Sequence, residues 1–397
     1  MTPKTAVLEG IRVLDLTTFL SGPFATQTLA DLGADVIKVE PPTGDSSRAI
    51  PPHYVDGESA YFLSVNRNKR SLVADLKDPS DRDLIRDLAL CADVLVENYR
   101  PGVIDRLGLS YDEIRRDNPG LVWASISGFG QTGPYRDRPA YDMIVQALSG
   151  GMSLTGEPDG PPVRSGLAIG DIVAGLYSDI GILGALVQRA ATGAGRRIDV
   201  SMLDCQISLL SYQAAYHLLA DVDPGRQGRA HDSIPTYRAF TAGDGVDVMV
   251  TANTEGMWRA LCDVLGVPDL VDDTRFCDGD RRQAHRDELS PLLETAFRAQ
   301  HSDQVIAALI ERRVPAARVH TVREALQDPQ VRHREMVVDI PALDSRRPLQ
   351  LVGSPVKVAG TVPEYRRPPQ LDEHREEIVQ DWLHRAAKIN ADSVSKG

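Results

Sequence analysis

The sequence predicts an α/β protein built on a parallel β-sheet. Its first two hundred residues alternate between short β-rich runs and segments with the length and apolar spacing of helices. Such alternation is typical of βαβ units, in which consecutive strands lie parallel to one another. The predicted strands are RVLDL (12–16), DVIKVE (35–40), SLVADL (71–76), DVLVENY (93–99) and LVWASISGFG (121–130).

The ends of these strands locate the expected ligand site. In parallel sheets, ligands bind in the crevice beyond the carboxyl ends of the strands. Here those ends are residues 17–23, 98–102 and 127–133. We therefore expect functional side chains in these three segments.

The later part of the chain predicts a second region that interrupts the first. Two apolar helices are predicted from Asp171 and Asp204. The polar segment DVDPGRQGRAH (221–231) that follows has the glycine and proline content of a linker. A more helical region comes next, and the β-rich stretch that begins at Met336 is expected to rejoin the first sheet.

Composition and charge exclude some classes of partner. The net charge of −12 argues against a general binder of nucleic acid or of anionic membranes, because phosphates would be repelled. We find no apolar run long enough to span a bilayer and no apolar signal core at the N-terminus. The four cysteines are far apart in sequence, which is typical of reduced thiols in the cytoplasm. We therefore predict a cytoplasmic protein.

Common catalytic signatures are missing. There is no GxGxxG after RVLDL, no Walker A lysine motif, no GxSxG elbow and no HExxH. The nine histidines form no pair with the spacing of metal ligands. These absences count against hydride transfer, nucleotide hydrolysis, serine hydrolysis and metal-dependent catalysis.

Basic residues form two clusters despite the acidic total. Arg67, Lys69 and Arg70 lie in NRNKRS just before a predicted strand, and Arg100 and Arg106 follow the strand DVLVENY. A solvated, charged loop is enough to explain either cluster taken alone. Two clusters at the strand ends of one sheet are better explained by a polyanionic ligand such as a diphosphate.

Asp171 is the single charged residue of GLAIGDIVAGLY (166–177), a stretch of small and apolar side chains. One interpretation is a helix N-cap, since aspartate is among the best capping residues. The other is a nucleophile, because a carboxylate that is ionised but poorly hydrated beside helix N–H groups is suited to attack. Position alone leaves both interpretations open.

Long, ordered motifs make the chain resemble the family III coenzyme A transferases and their racemase relatives. The resemblance extends from Leu8 to about Leu383. It is carried by LEGIRVLDLTTFLSGPFATQTLADLGADVIKVEPP, VNRNKRS, DVLVENYRPGVIDRLG, ISGFGQTGP, YDMIVQALSGGMSLTGEPDGPPVRSGLAIGDIVAGLY and GRRIDVSMLD.

The resemblance implies a fold and an assembly. The family fold is a Rossmann-like large domain with a parallel sheet built from both chain ends, plus a smaller inserted α+β domain. Two such chains interlock to form a homodimer. On this plan, residues 1–220 and 336–397 form the large, coenzyme-binding and catalytic domain, and residues 221–335 form linkers and the small domain.

The resemblance also implies the chemistry. By it, Asp171 attacks the thioester of an acyl-CoA and carries first an acyl anhydride and then a CoA thioester, which a carboxylic acid receives. Coenzyme A enters as a substrate, and no permanently bound cofactor or metal is implied. The residues that match coenzyme-binding segments of the family are Leu20, Ser21, Asn66, Lys69, Arg70, Asn98, Tyr99, Arg100 and Arg106.

Two alternative functions remain beside transfer. The α-methylacyl-CoA racemases share the aspartate but need a second acid/base, a histidine followed by aspartate. Here those positions are Tyr141 and Asp142, and an unperturbed tyrosine titrates near pH 10, so it is a poor base at neutral pH. Tyr141 can still donate a hydrogen bond to a substrate. A non-catalytic CoA-binding subunit is the other alternative, and the intact Asp171 argues against it.

Departures from family patterns bear on the acceptor acid. Formyl-CoA transferases carry a glutamine where this chain has Leu20, together with a glycine run that is missing here, which disfavours oxalate and formate. The segment RQGRAHDSIPTYRAF resembles transferases that use succinyl-CoA and a dicarboxylate such as glutarate. Arg229 and His231 are candidates to bind the second carboxylate, although they also suit a polar linker. Gly150 and Gly151 are candidates for a closing loop whose N–H groups stabilise an oxyanion.

Overall fold

The computed structural model of the protein describes residues 6–342 and 347–384. Within them, the chain divides into two compact units. The first contains residues up to 152, residues 164–222 and the chain from 332 onward. The second contains residues 153–163 and 223–331. The short segment 153–163 therefore groups with the second unit although it precedes the predicted linker.

A six-stranded, wholly parallel sheet forms the centre of the first unit, as the βαβ pattern predicted. Its strands lie in the order β5-β2-β1-β6-β7-β8, and a two-stranded hairpin, β3–β4, lies outside it. Without the hairpin, the order is 3-2-1-4-5-6, which places the topological switch point between β1 and β6. The strands are β1 Arg12–Leu16, β2 Asp35–Glu40, β3 Tyr54–Val55, β4 Glu58–Ser59, β5 Lys69–Val73, β6 Val94–Glu97, β7 Val122–Ser127 and β8 Arg197–Ser201.

Helices cover both faces of this sheet, which explains why its strands are apolar on both sides. One core contains Leu14, Ile85 and Trp123, and the other contains Val13, Leu29 and Ile182. The helices of the first unit up to residue 222 are α1 Ser21–Asp31, α2 Ala60–Ser64, α3 Pro79–Cys91, α4 Val103–Arg106, α5 Tyr111–Asp117, α6 Asp142–Leu148, α7 Ile169–Thr192, α8 Met202–Leu209 and α9 Tyr212–Ala220.

Helix α7 is the longest helix described and packs against α1. Gly175 permits this contact, since a Cβ atom there would lie 2.7 Å from the carbonyl oxygen of Ser21. The helix ends at Gly193, whose φ of 72° favours glycine. By length and composition α7 could cross a membrane, contrary to our expectation that no segment could. Its buried side chains Ala174, Ile182 and Ala185 lie in the sheet core, as expected for the core helix of a globular unit.

The C-terminal strands do not rejoin the main sheet, and this part of the predicted fold is wrong. Strands β12 (Val337–Ile340) and β13 (Leu349–Val352) pair antiparallel with each other. The edge strand β5 is instead met by an irregular segment, in which Asp372 accepts the N–H of Val73 at 2.7 Å. Prolines 363, 368 and 369 in that segment lack the N–H groups that a regular ladder needs. The chain ends in α16 (Arg375–Ile378) and a π-helical turn, Val379–His384.

The second unit has its own sheet and core. The antiparallel sheet has the order β11-β10-β9, with β9 Tyr237–Thr241, β10 Asp247–Thr251 and β11 Ala316–Arg318. Trp258 is fully buried, and the rings of Phe240 and Phe297 stack at 4.4 Å. Its helices are α10 Glu255–Leu265, α11 Gly279–Ala284, α12 Arg286–Arg298, α13 Ser302–Glu311 and α14 Val322–Gln327, and α15, Pro329–His333, spans the boundary at residue 332.

Candidate active site

A cavity of about 480 Å³ opens at the carboxyl ends of β1, β6 and β7, beside the switch point of the sheet. This is the place that the strand pattern predicted for a ligand. The cavity is enclosed by the β1–α1 loop (residues 17–20), the segment after β6, the segment after β7 and the start of α7. Its lining includes Thr18, Phe19, Ser21, Ile50, Tyr61, Asn98, Tyr99, Arg100, Ser127, Arg136, Arg138, Tyr141, Asp142 and Asp171.

Asp171 is in the first turn of α7 and lines the cavity. It is not the N-cap: the helix begins at Ile169, and the preceding Ala168 has no capping side chain. The N–H of Gly170 is instead satisfied by Oδ1 of Asp142, which accepts it at 2.7 Å. The capping interpretation of Asp171 is therefore wrong, because a carboxylate from α6 performs that task.

The surroundings of Asp171 make its carboxylate unusually basic. Burial, and then the negative charge of Asp142, raise the pKa of Asp171 to about 7, while a hydrogen bond from Ser21 lowers it. Tyr61 lies on the same cavity, and burial together with Asp171 raises the pKa of its hydroxyl to about 12. The tyrosine therefore stays neutral, while the aspartate is divided between its two protonation states at neutral pH.

Asn98, predicted to bind the coenzyme, also holds the β1–α1 loop in place. Its Oδ1 accepts the N–H of Thr18 at 2.9 Å, and its Nδ2 donates to the carbonyl oxygen of Thr18 at 2.8 Å. The same Nδ2 is 3.4 Å from Oγ of Ser21. The loop is thus attached to β6, and the Ser21 hydroxyl is presented to Asp171.

Tyr141 and Tyr99 also lie on the cavity, as does Arg100. Tyr141 immediately precedes α6, is 67% exposed, and meets the ring of Phe19 edge-on at 6.1 Å. Its exposed ring is therefore available to a ligand. Tyr99 is half-buried, and burial followed by Glu97 raises the pKa of its hydroxyl to about 12.

The first basic cluster does not line the cavity. Arg67 pairs with Asp31 at 2.5 Å, and the guanidinium of Arg70 pairs with Asp35 at 2.6 Å. Lys69 is buried and donates to Asp15 at 3.0 Å and to Oδ1 of Asn66 at 2.9 Å. These residues lie at the amino end of β5, whereas the cavity lies at carboxyl ends. Coenzyme binding by Asn66, Lys69 and Arg70 stays a prediction that this arrangement does not favour.

A different basic cluster surrounds the cavity mouth. Arg100, Arg136 and Arg138 line the cavity and are exposed. Arg106 converges on the same place, because a Cβ atom on Gly102 would lie 3.4 Å from both Arg106 Nη1 and Arg136 Nη2. Among residues 6–342 and 347–384, no ion pair with a carboxylate is found for these four side chains. We call them the mouth arginines.

Sequence reasoning missed two of the mouth arginines. Arg136 and Arg138 follow the turn after β7, only a few residues beyond the predicted carboxyl-end segment 127–133. Their proximity to that strand end was the available signal. This signal was weaker than the three cations of NRNKRS, whose side chains prove to interact with groups inside the protein.

The remaining predicted site residues do not line this cavity. Leu20 is half-buried and precedes α1, while the N–H of Gly151 donates to Ser149 Oγ at 3.2 Å beside Gly150. Arg229 and His231 belong to the second unit. There Arg229 pairs with Asp247 at 2.7 Å, and the His231 ring stacks on Tyr237. Contact between these residues and a substrate remains a prediction.

No metal site is evident in the part of the chain that the structure describes. Within it, no group of three or more histidine, cysteine, aspartate or glutamate side chains is arranged to hold an ion. The polar groups that line the cavity include the Asp171 carboxylate with its raised pKa, Asp142, the neutral hydroxyls of Tyr61 and Tyr99, and several arginines. Such a set can bind an anionic ligand and attack a carbonyl carbon.

Comparisons with a family profile and with individual proteins indicate the same family. The sequence profile of CoA-transferase family III matches residues 8–375. A succinate–glutarate CoA-transferase of Agrobacterium fabrum is 41% identical, over 94% of this chain and 95% of the relative. An acetyl-CoA:oxalate CoA-transferase of Acetobacter aceti is also 41% identical, over 96% of this chain and 97% of the relative.

A solved structure extends the similarity to the fold. The crystal structure of a CAIB/BAIF family protein from Brucella suis superposes with a TM-score of 0.85 at 38% identity. The match covers 95% of this chain and 99% of that chain. The agreement in sequence and in fold therefore extends over nearly the whole chain.

Proposed function

This chain belongs to CoA-transferase family III and is a CoA-transferase, and on that premise we propose that it works through a covalent intermediate on Asp171. The observation that carries the proposal is the position of the Asp171 carboxylate. It lines the cavity together with Ser21, and burial raises its pKa to about 7. A basic carboxylate with few water contacts is a better nucleophile than an exposed one.

The proposed reaction has four steps. A carboxylate oxygen of Asp171 attacks the acyl carbon of the donor thioester, the C–S bond breaks, and the CoA thiolate leaves an acyl-aspartyl anhydride. The thiolate then attacks the aspartyl carbon and releases the donor acid as a carboxylate. The acceptor carboxylate attacks the resulting aspartyl thioester and expels the thiolate. Finally, the thiolate attacks the acyl carbon of the acceptor, which regenerates Asp171 and completes the product thioester.

The mouth arginines suit the phosphates of coenzyme A. Guanidinium groups bind phosphate oxygens with two parallel hydrogen bonds, which gives both strength and orientation. A thioester bound with its phosphates at Arg100 and Arg136 would extend its acyl end into the cavity that contains Asp171. We propose that these arginines replace the NRNKRS cluster as the main phosphate site.

For substrates, we propose succinyl-CoA as donor and a small dicarboxylate such as glutarate as acceptor. One relative at 41% identity is named for succinate and glutarate, but another at the same identity is named for acetyl-CoA and oxalate. Identity alone therefore does not separate these acids. The Leu20 position disfavours oxalate, and the segment RQGRAHDSIPTYRAF resembles transferases that use a dicarboxylate such as glutarate. Arg229 and His231 remain our candidates for the second carboxylate.

A substrate panel tests this proposal. Purified protein is incubated with succinyl-CoA or acetyl-CoA and with glutarate, oxalate, mesaconate or acetate, and each acyl-CoA product is measured by mass spectrometry. We expect the highest kcat/KM for succinyl-CoA with glutarate. A preference for oxalate would overturn the substrate assignment. Exchange of α-protons of a 2-methylacyl-CoA in heavy water, without any acceptor, would favour the racemase alternative. CoA binding without any turnover would favour the non-catalytic subunit.

We propose a homodimer as the working assembly. Helices α7 and α9 present exposed apolar side chains, with Ile180 64%, Val187 74% and Leu219 86% exposed. Large apolar side chains that are this exposed are typical of an interface. Light scattering at several concentrations tests the stoichiometry.

We also propose a cytoplasmic location, which fits the four free cysteines.

The pH dependence of transfer is a specific expectation. Only the ionised carboxylate attacks, so kcat/KM should fall about tenfold per pH unit below a midpoint near the Asp171 pKa of about 7. Asp142→Asn keeps an oxygen for the Gly170 N–H but removes the charge that raises this pKa. The variant should therefore stay active to lower pH. Ser21 and Tyr61, which also face Asp171, are uncharged across this range.

The measurement is the initial rate of CoA transfer by the natural protein and by Asp142→Asn between pH 5 and 9. The folded state of each protein is checked at every pH. If kcat/KM of the natural protein did not fall at low pH, attack by Asp171 would be contradicted. If the midpoint of this fall were the same in Asp142→Asn, only the influence of Asp142 on the Asp171 pKa would be contradicted.

A further inference from the structure

We infer that the buried ion pair between Lys38 and Asp45 positions the β1–α1 loop for the covalent step. This inference rests on the proposed role of Asp171. Neither residue lines the cavity, so both are positioning residues that act through the loop. Lys38 is in β2 and Asp45 precedes the 3₁₀ turn Ser46–Ala49, so two separate segments hold one loop.

The ion pair is fully enclosed and contacts the loop at both of its partners. Nζ of Lys38 is 2.7 Å from Oδ2 of Asp45, and both side chains are 0% exposed. The same Nζ donates to the carbonyl oxygen of Thr17 at 2.9 Å. Oδ1 of Asp45 accepts the N–H of Phe19 at 3.3 Å. The pair therefore connects the first and third residues of the loop.

The loop needs such a restraint because it contains a strained residue. Phe19 has a φ of 64°, in the left-handed region that bulky side chains avoid. Residues in this region persist only where their surroundings hold them, and they concentrate at functional sites. Asp45 accepts the N–H of Phe19 itself, so this hydrogen bond acts directly on the strained backbone.

The strained loop leads directly to the nucleophile. Ser21, the residue after the loop, lines the same cavity as Asp171, and its hydroxyl lowers the pKa of that carboxylate. Helix α7 packs closely on the same residue, as the 2.7 Å between a Cβ on Gly175 and the Ser21 carbonyl oxygen indicates. A shift of the loop would therefore move the Ser21 hydroxyl relative to the attacking carboxylate. Phe19 also supports the exposed ring of Tyr141, so the same shift would alter the cavity wall.

The chain contains a matched control for simple loss of a buried ion pair. Arg67 and Asp31 pair at 2.5 Å with 4% and 3% side-chain exposure, and they do not contact the loop. Arg67 also donates to the carbonyl oxygen of Val352 at 2.7 Å. Loss of either pair leaves a buried carboxylate with fewer partners and lowers stability. Only loss of the Lys38 pair releases the loop.

The experiment compares Lys38→Met with Arg67→Met, both assayed well below their melting temperatures. Succinyl-CoA, or the donor that the panel identifies, is mixed with each protein, and hydroxylamine traps the activated Asp171 for mass spectrometry. We expect Lys38→Met to form the adduct about 10- to 100-fold more slowly, with the KM for the donor changed less than about threefold, because small misplacements of reacting groups cost rate. Arg67→Met should form the adduct within about threefold of the natural rate.

A second variant keeps the inference testable if Lys38→Met does not fold. Lys38→Met/Asp45→Leu removes both charges, and replacement of a buried ion pair by apolar side chains is often neutral for stability. It still lacks the bonds to Thr17 and Phe19, so the adduct should form as slowly as in Lys38→Met. An adduct rate near the natural one in either variant overturns the inference. If the natural protein forms no adduct at Asp171, the proposed function itself fails instead.

Discussion

Replacement of Asp171 by alanine is expected to lower CoA transfer at least about 1,000-fold while leaving the fold intact. Among the described residues that line the cavity, no other carboxylate is placed to substitute for it. Asp142 is buried, and its two oxygens already accept hydrogen bonds from Gly170 at 2.7 Å and from Gln146 at 2.7 Å. Without the covalent route, the thioester would have to react directly with the acceptor acid, which the proposed steps avoid. The measurement is steady-state transfer together with hydroxylamine trapping.

Asp179 offers a matched control on the same helix. It is also a buried carboxylate, and burial raises its pKa to about 8, but it does not line the cavity. Asp179→Asn should therefore transfer CoA within about threefold of the natural rate. If Asp171→Ala turned over normally, the covalent assignment would be wrong. If both variants lost activity equally, the loss could not be ascribed to the nucleophile, and the assignment would lose its support.

Removal of two mouth arginines is expected to have the second-largest effect. Arg100→Ala/Arg136→Ala should raise the KM for the acyl-CoA donor about 100-fold, since a hydrogen bond to a charged group contributes roughly 1.5 kcal/mol or more and 1.4 kcal/mol is a factor of ten. The kcat should change little, because the phosphates lie far along the coenzyme from the reacting carbonyl carbon. Added salt should raise the KM of the natural protein more than that of the variant. Initial rates over a range of donor concentrations measure both constants.

Arg115→Ala/Arg116→Ala is the control for a change of net charge. Both arginines are exposed on α5 in the same unit and do not line the cavity. We expect an unchanged KM in this variant. An equal rise in KM in both double variants would indicate a general effect of charge on association, and would contradict a phosphate site at the mouth. A loss in kcat alone would place Arg100 and Arg136 nearer the chemistry than we propose.

Several parts of this molecule follow from local sequence pattern. The alternation of β-rich runs and helical segments predicts a parallel sheet, and the strands β1, β2, β6 and β7 formed where it placed them. The rule that ligands bind at carboxyl ends then placed the cavity beside residues 17–23 and 98–102. The helix predicted from Asp171 corresponds to α7, which begins two residues earlier, at Ile169. Each of these inferences depends on neighbours within a few residues.

Other parts were wrong or missed because they depend on partners far away in sequence. The C-terminal strands β12 and β13 pair with each other, and no local pattern distinguishes that pairing from an addition to the edge of the main sheet. Arg70 interacts with Glu377, more than three hundred residues later, so a strongly basic segment became part of the packing. Asp142, 28 residues before Gly170, took the capping role that Asp171 could have filled.

The sequence by itself therefore determined the parallel sheet, the strand ends beside which the cavity lies and the carboxylate that lines it, since period and spacing are local properties of the chain. Only the tertiary structure decided which cations remain for an anion. Arg67 and Lys69 are neutralised by buried carboxylates, whereas Arg100 and Arg136 stay exposed at the cavity. The physical reason is that a charge is available to a ligand only if folding has not already paired it, and such pairing is set by contacts between distant segments.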